Sequence, residues 1–218
     1  MAYVPLGIAF GVLAVTSGIA WYWPPLSALL IFAGSIEFLA VSLVVQGVAI
    51  PQVALTALLV NFRHVFYGLS FPISRLRSRP QRLYGVFALT DETYGITSAG
   101  GAGTRLNGFQ ITVLQVVSHL WWSGGALLGA VVGQVIPPQL EGFEFALTAM
   151  FLTLAVDAIR ASKDFGLVGH AALACACAYV SDKFVYSGSF LVVGLLVYLA
   201  LVTVGYARQD VSAKEGTT

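Results

Sequence analysis

The sequence predicts an all-α polytopic membrane protein of about seven transmembrane helices with one added re-entrant segment, some helices broken, and three observations carry that expectation. Of 218 residues, 58% are apolar and only 10% charged, and the mean hydropathy is +0.85. The apolar residues gather into runs long enough to cross a bilayer, which takes about 20 residues per helix. The basic residues gather between those runs. A soluble domain carries about a quarter charged residues, so this chain has too few to coat a water-facing surface, and lipid must face much of it. Length leaves no room for a separate soluble catalytic domain.

The apolar runs lie at about 2–22, 25–47, 51–72, 107–136, 142–160, 166–181 and 188–206. Helices are expected, because a spanning segment must satisfy its own backbone hydrogen bonds. The long stretches of Leu, Val and Ala argue against the short alternating strands of a barrel. Between the third and fourth runs, Tyr84 to Ala99 is partly apolar, carries Asp91 and Glu92, and runs into Gly100, Gly101 and Gly103. That composition suggests a re-entrant or broken helix. Residues 1–208 are expected to form one transmembrane domain, and 209–218 a short, polar, disordered cytoplasmic tail.

Loop charge sets the expected orientation. Arg75, Arg77, Arg79 and Arg82 crowd one short connection, which the positive-inside rule places in the cytoplasm. If 84–99 dips in and returns, Arg105 shares that side, the 137–144 loop with Glu141 and Glu144 lies outside, and Arg160, Lys163, Arg208 and Lys214 return to the cytoplasm. This scheme puts the N-terminus outside and the C-terminus inside. No basic leader with a cleavage site precedes the first run, so no removable signal peptide is expected.

Net charge of +1 and a pI near 7.8 give no case for nucleic acid. Cys175 and Cys177, two apart in an apolar run, point to different helix faces and read as packing residues; no metal site and no cofactor is expected. Gly7 and Gly11, and Gly125, Gly129 and Gly133, form small-xxx-small faces that let helix backbones approach closely, within the subunit or against a partner.

Ionisable residues inside a membrane are costly unless paired or hydrated, so each is a functional candidate. Gly34 and Ser35 weaken the second run at mid-length, and Glu37 follows within a turn. A break there exposes helix-end amides that favour an anion, while Glu37 receives an ammonium group or a proton; alternatively it is a protonated Glu bonded to a neighbouring helix. In the third run, Asn61, His64 and Gly68 share one helix face, and Arg63 and Tyr67 an adjacent one. Arg63 is close enough to the basic loop to snorkel, whereas Asn61 and His64 read either as a packed polar network or as part of a pathway. The adjacent carboxylates Asp91 and Glu92 suggest a proton or cation relay, since two like charges side by side resist ionising together; a solvated loop is the alternative. Thr112, Gln115, His119 and Ser123, with Trp122 beside them, draw a polar line along one helix face that either lines a cavity or meets another polar helix. Asp157 and Arg160, three apart, read as a local pair.

The blocks Phe32-Ala33-Gly34-Ser35 through Phe38, Asn61-Phe62-Arg63-His64 through Ser70, and Leu89-Thr90-Asp91-Glu92 occur in an order and spacing that resembles the AzlC/YgaZ-type family, the large subunits of branched-chain amino acid exporters. The likeness runs from Pro5 to about residue 205. It implies export of valine, leucine, isoleucine and methionine from the bacterial cytoplasm, and the chain is expected to act as a multi-pass secondary transporter of the cytoplasmic membrane driven by the proton gradient. It also implies a small membrane subunit of the AzlD/YgaH type as partner. Members commonly carry Gln where this chain has Glu37, and commonly have more residues before the first apolar run. On this reading Gly34, Ser35, Glu37, Asn61, Arg63, His64, Tyr67, Asp91, Glu92, Gln115 and His119 bind substrate or couple protons, and the chain is not an enzyme. Two alternatives stand beside it: the permease module of an ATP-driven transporter, and an intramembrane metal-dependent hydrolase built on His64, His119, Asp91 and Glu92. Neither H-E-x-x-H nor G-x-S-x-G spacing accompanies the latter. An inverted repeat would suit a transporter, with the breaks at 34–35 and near 91–95 as counterparts.

Overall fold

The computed structural model describes residues 3–98, 106–137, 165–184 and 190–215, together with 145, 148–149, 152–153, 156 and 159–160. The regular elements among the described residues are all helices, and the chain falls into two compact units, 1–149 and 150–218. Most of the expected 142–160 run, with Asp157, lies outside the described residues.

In the first unit the helices are α1 (Tyr3–Thr16), α2 (Trp23–Leu30), α3 (Gly34–Val45), α4 (Ile50–Asn61), α5 (Arg63–Ser70), α6 (Arg79–Phe87), α7 (Asp91–Ser98) and α8 (Gly108–Gly133). Local chemistry starts several of them. Pro24 and Pro51 stand in the first turns of α2 and α4, where a missing N–H costs nothing. Capping boxes open α6 (Ser78 with Gln81) and α8 (Asn107 with Gln110). Gly47, at φ +63°, makes the turn from α3 to α4. Helices α4 and α5 join through Phe62 into a 21-residue rod, Ile50–Ser70; this rod and α8 are the two helices, among the described residues, long and apolar enough to cross a bilayer.

The glycine faces pack against each other. A Cβ on Gly7 would stand 2.7 Å from the Trp122 carbonyl, one on Gly125 would stand 2.8 Å from that of Val4, and Gly11 and Gly129 face the partner backbone as closely. The pairing advances in step, from Val4 beside Gly125 to Val12 beside Gly133, so α1 and α8 run parallel. Both readings of these glycines thus reduce to packing within the subunit.

That parallel pairing corrects the expected orientation, in which the first and fourth runs point in opposite directions. The reason is the 25–47 run, which does not cross as one helix. Helix α2 comes back from the end of α1 to put Ala28 and Phe32 beside His119, and Phe32 beside Tyr3. The chain then breaks at Ile31–Ala33, and α3 climbs again along α1, placing Phe38 against Phe10 and Val41 in the same cluster as Leu13 and Ala14. It is a helical hairpin. The second hairpin is α6–α7. It leaves the basic end, where Arg75 Nη1 donates to the Leu106 carbonyl (3.1 Å) and Gly108 abuts Arg75. Helix α6 rises along α8 to Gln115, and α7 returns beside α5, with Asp91 at Tyr67 and Tyr94 at Ser70. Among the described residues, the stretch expected to be a broken or re-entrant helix is a hairpin that turns at 88–90. With a hairpin in place of the expected second crossing, α1 runs away from the basic end rather than towards it.

The second unit contains α9 (Phe165–Phe184) and α10 (Phe190–Glu215), packed antiparallel with Gly194 against Ala178 and Gly205 near His170. Cys175 and Cys177 are free and exposed on α9. Helix α10 continues to Glu215, so the tail expected to be disordered from Gln209 begins as helix; Ala207, Arg208 and Gln209 are all good helix formers.

Candidate functional site

The two hairpin tips enter from opposite ends and meet beside α5. The first tip is built around a strained residue: Phe32 has φ +49°, in the left-handed region, and is held there by burial to 4% exposure and by stacking on His119 at 4.3 Å. Its cost is offset by closing the break. The Glu37 carboxylate folds back so that Oε2 accepts from the Ala33 N–H (3.0 Å) and from Trp122 Nε1 (2.9 Å). Its other oxygen, Oε1, is buried with no partner. The residue is 2% exposed.

At the second tip, Thr90 and Thr93 exchange side-chain-to-backbone bonds, which starts α7 at Asp91. The two carboxylates that follow do not act on each other. Asp91 Oδ2 pairs with Arg63 Nη2 at 2.8 Å, and its Oδ1 accepts from the Tyr67 hydroxyl at 2.8 Å. Glu92 Oε2 accepts from the Tyr3 hydroxyl at 3.0 Å, which leaves the Thr90 hydroxyl to donate to the Tyr3 oxygen (2.6 Å). Neighbouring positions on a helix diverge by about 100°, so the two acids serve different partners.

Arg63 is the hinge-pin of the arrangement. The same Nη2 that pairs with Asp91 on the second hairpin donates to Ser35 Oγ on the first, at 2.9 Å. One guanidinium thus ties both tips, and snorkelling to the basic loop is not what it does. Its Nε is buried without a partner, so hydrogen-bonding capacity remains on the guanidinium; Oδ1 of Asn61, two residues earlier, is likewise buried and unpartnered. Tyr94 stacks on Tyr67 at 4.2 Å. His64 stands at the margin: Nδ1 donates to the carbonyl of Asn61 in its own helix (3.1 Å), and its ring lies 5.2 Å from Tyr67.

The polar line on α8 meets the hairpins rather than open space. Gln115 Nε2 donates to the carbonyls of Gly85 (2.8 Å) and Ala88 (3.1 Å), at the end of α6. One turn on, His119 Nε2 donates to the Ala28 carbonyl near the end of α2 (3.2 Å), and in the neutral ring Nδ1 accepts from the Tyr84 hydroxyl (3.1 Å). A broken helix leaves carbonyls without partners at its end, and these two side chains supply donors to both breaks. Thr112 bonds within α8, and Ser123 Oγ is buried without a partner.

The structure thus gathers Gly34, Ser35, Glu37, Arg63, Tyr67, Asp91 and Glu92 around the tips, with Gln115 and His119 behind them. The sequence pattern marks neither Tyr3 nor Thr93, and it gives no role to Thr90, which stands only within a family block, or to Trp122. A Tyr at the head of an apolar run carries no local signal, since only the tertiary fold brings it to Glu92.

Comparison with known proteins places the chain among membrane transport proteins. Residues 1–136 match the family described as AzlC protein. The chain belongs to the AzlC family. It is 29% identical to the branched-chain amino acid transport protein AzlC of Bacillus subtilis over 201 residues, 91% of this chain and 78% of that protein. It is 30% identical to an uncharacterized membrane protein of Helicobacter pylori (strain J99), covering 93% of this chain and 88% of the relative. Inner membrane protein YgaZ of Escherichia coli is 26% identical over 74% of this chain and 68% of its own length. No solved structure matches. The AzlC family is a family of membrane transport proteins, and this chain is a membrane protein of that kind.

Proposed function

We propose that this AzlC-family chain exports the branched-chain amino acids valine, leucine and isoleucine, and with them methionine, across the bacterial cytoplasmic membrane, as the large subunit of a two-component, proton-coupled secondary transporter. The observation that carries the reading is the meeting of two re-entrant tips on Arg63. Transporters bind substrate midway across the bilayer at discontinuous helices, whose N-termini favour an anionic group. Here the head of α3, at Gly34 and Ser35, and the head of α7, at Asp91, both open onto one guanidinium. That pairing offers complementary charge for a zwitterion. The substrate carboxylate goes to Arg63 and the amides at Gly34 and Ser35; the ammonium goes to Asp91. Tyr67 and Tyr94 supply aromatic surface for the branched side chain. Glu37, with one oxygen committed and the other unpartnered, is the proton-coupling group, and His64 or His119 passes protons onward.

A small membrane subunit of the AzlD/YgaH type completes the transporter. The exposed apolar side chains of the 50–70 rod, among them Leu55, Leu58, Val65, Phe66 and Leu69, fit a surface that lipid and such a subunit share. The test is efflux of valine, fed to cells as a dipeptide, with and without the small subunit. Partner-dependent export is expected, and Glu37→Gln or Asp91→Asn should abolish it while the protein stays in the membrane. Export unaltered in both variants would remove the assigned roles.

A further inference from the structure

The two hairpins share more than shape. Phe32-Ala33-Gly34-Ser35-Ile36-Glu37 and Phe87-Ala88-Leu89-Thr90-Asp91-Glu92 both read Phe-Ala-x-Ser/Thr-x-Glu, 55 residues apart. The same 55-residue step carries His64 onto His119, Phe66 onto Trp121 and Tyr67 onto Trp122. The elements repeat with the residues: hairpin α2–α3 leads into the rod α4–α5, and hairpin α6–α7 leads into α8. Because the hairpins enter from opposite ends, the two hairpin-and-rod segments are inverted copies.

The copies are not in the same state. The first hairpin is seated on α8 by three contacts: His119 Nε2 on the Ala28 carbonyl (3.2 Å), Trp122 Nε1 on Glu37 (2.9 Å), and Phe32 stacked on His119 (4.3 Å). The equivalent seat for the second hairpin is on the rod, where His64 would reach the Leu83 carbonyl and Tyr67 would reach Glu92. None of this is made. His64 turns to Asn61 in its own helix, Tyr67 bonds Asp91 one residue short, and Tyr3 holds Glu92. Phe87, the counterpart of Phe32, is 42% exposed against 4%. The break itself is displaced: α6 runs to Phe87 and α7 starts at Asp91, two residues beyond the positions equivalent to the end of α2 and the start of α3. The Arg63–Asp91 pair holds this offset arrangement, and it has no counterpart, since Ser118 and Ile36 stand at the equivalent positions.

We infer that His64 and Tyr67 are a second hairpin seat, equivalent to His119 and Trp122, which α6–α7 occupies in the other half of the transport cycle while α2–α3 leaves its own. Arg63 with Asp91 is the latch, and a zwitterion that engages both charges releases it. Inverted copies give two conformations of comparable energy, because each makes the contacts that the other breaks. This inference rests on the reading of the chain as a transporter, and it assigns His64 and Tyr67 a positioning role that substrate contact does not require.

Paired cysteines test it in membranes, after Cys175→Ser and Cys177→Ser remove the native thiols. Ala28→Cys with His119→Cys reports the first seat, and Leu83→Cys with His64→Cys reports the second, each read as cross-linking by a short bifunctional thiol reagent. Both pairs are expected to cross-link in part. Adding Arg63→Gln should raise the 83–64 yield several-fold and lower the 28–119 yield. Tyr67→Cys with Glu92→Cys reads the same seat should His64→Cys fail to insert. Complete 28–119 cross-linking with none at 83–64 or 67–92, unchanged by Arg63→Gln, overturns the second seat. Full yield at both seats in one molecule overturns alternation. The readout needs no solute, so it fails or succeeds separately from valine efflux.

Discussion

Replacing Gly129 by Ala tests the α1–α8 interface on which the hairpins hang. The added Cβ meets the Ile8 backbone, and the same register puts a Gly7 Cβ 2.7 Å and a Gly125 Cβ 2.8 Å from opposing carbonyls. Ordinary van der Waals packing begins at 3.4 Å, so the helices must separate by more than half an ångström. The obstacle is backbone, and no rotamer change relieves it. A gap of 0.5–1 Å forfeits roughly a quarter to a half of the dispersion attraction between the atoms it parts, and overpacking of this kind costs about 1–3 kcal/mol, here towards the upper end. Against that, Ala in a helix gains about 0.5–1 kcal/mol over Gly. The expected net loss is about 2 kcal/mol. Gly124 supplies the control, for it lies on the same helix with nothing within 4 Å of its Cβ, and Gly124→Ala should show only the propensity gain. The two variants should therefore differ by about 3 kcal/mol. At about 2–4 °C per kcal/mol for a chain of this size, their thermal midpoints in detergent should differ by about 6–12 °C. Size-exclusion retention after heating reads the midpoint. Equal midpoints for the two variants would refute the close packing and, with it, the parallel arrangement of α1 and α8.

Gln115→Leu removes the donor shared by the Gly85 and Ala88 carbonyls at the end of α6. Leaving buried acceptors unmet costs about 1–3 kcal/mol, so a lower thermal midpoint and faster proteolysis near 88–90 are expected, and an unshifted midpoint would count against the clamp. Trp122→Phe keeps most of the ring but deletes the N–H that reaches Glu37. A hydrogen bond to a carboxylate contributes about 1.5–3 kcal/mol, and on the proposed role valine efflux should fall about tenfold or more at equal membrane level; wild-type efflux would separate Glu37 from the transport cycle.

Composition and periodicity determined the solvent, the helical class and the candidate residues. Ten per cent charge in 218 residues admits no water-facing globule, and an ionisable group inside an apolar run is costly enough to mark itself. That is why Ser35, Glu37, Arg63, Tyr67 and Asp91 were legible before any coordinates, and why the glycine faces were visible as interfaces. Their partners were not legible. Gly34, Ser35 and Glu37 mark a weak point in the 25–47 run, but nothing local distinguishes a run that folds back at Phe32 from a broken helix that still crosses, because both can satisfy the backbone. The decision is made by groups distant in sequence: the stacking of Phe32 on His119, the return of Glu37 to Trp122, and the donors that Gln115 and His119 lend to the broken ends. For the same reason Asp91 and Glu92, adjacent in the chain and alike in chemistry, part company in the fold, one held by Arg63 and the other by Tyr3. A sequence records which groups need a partner in a medium without water; only the tertiary structure decides which partner each one finds.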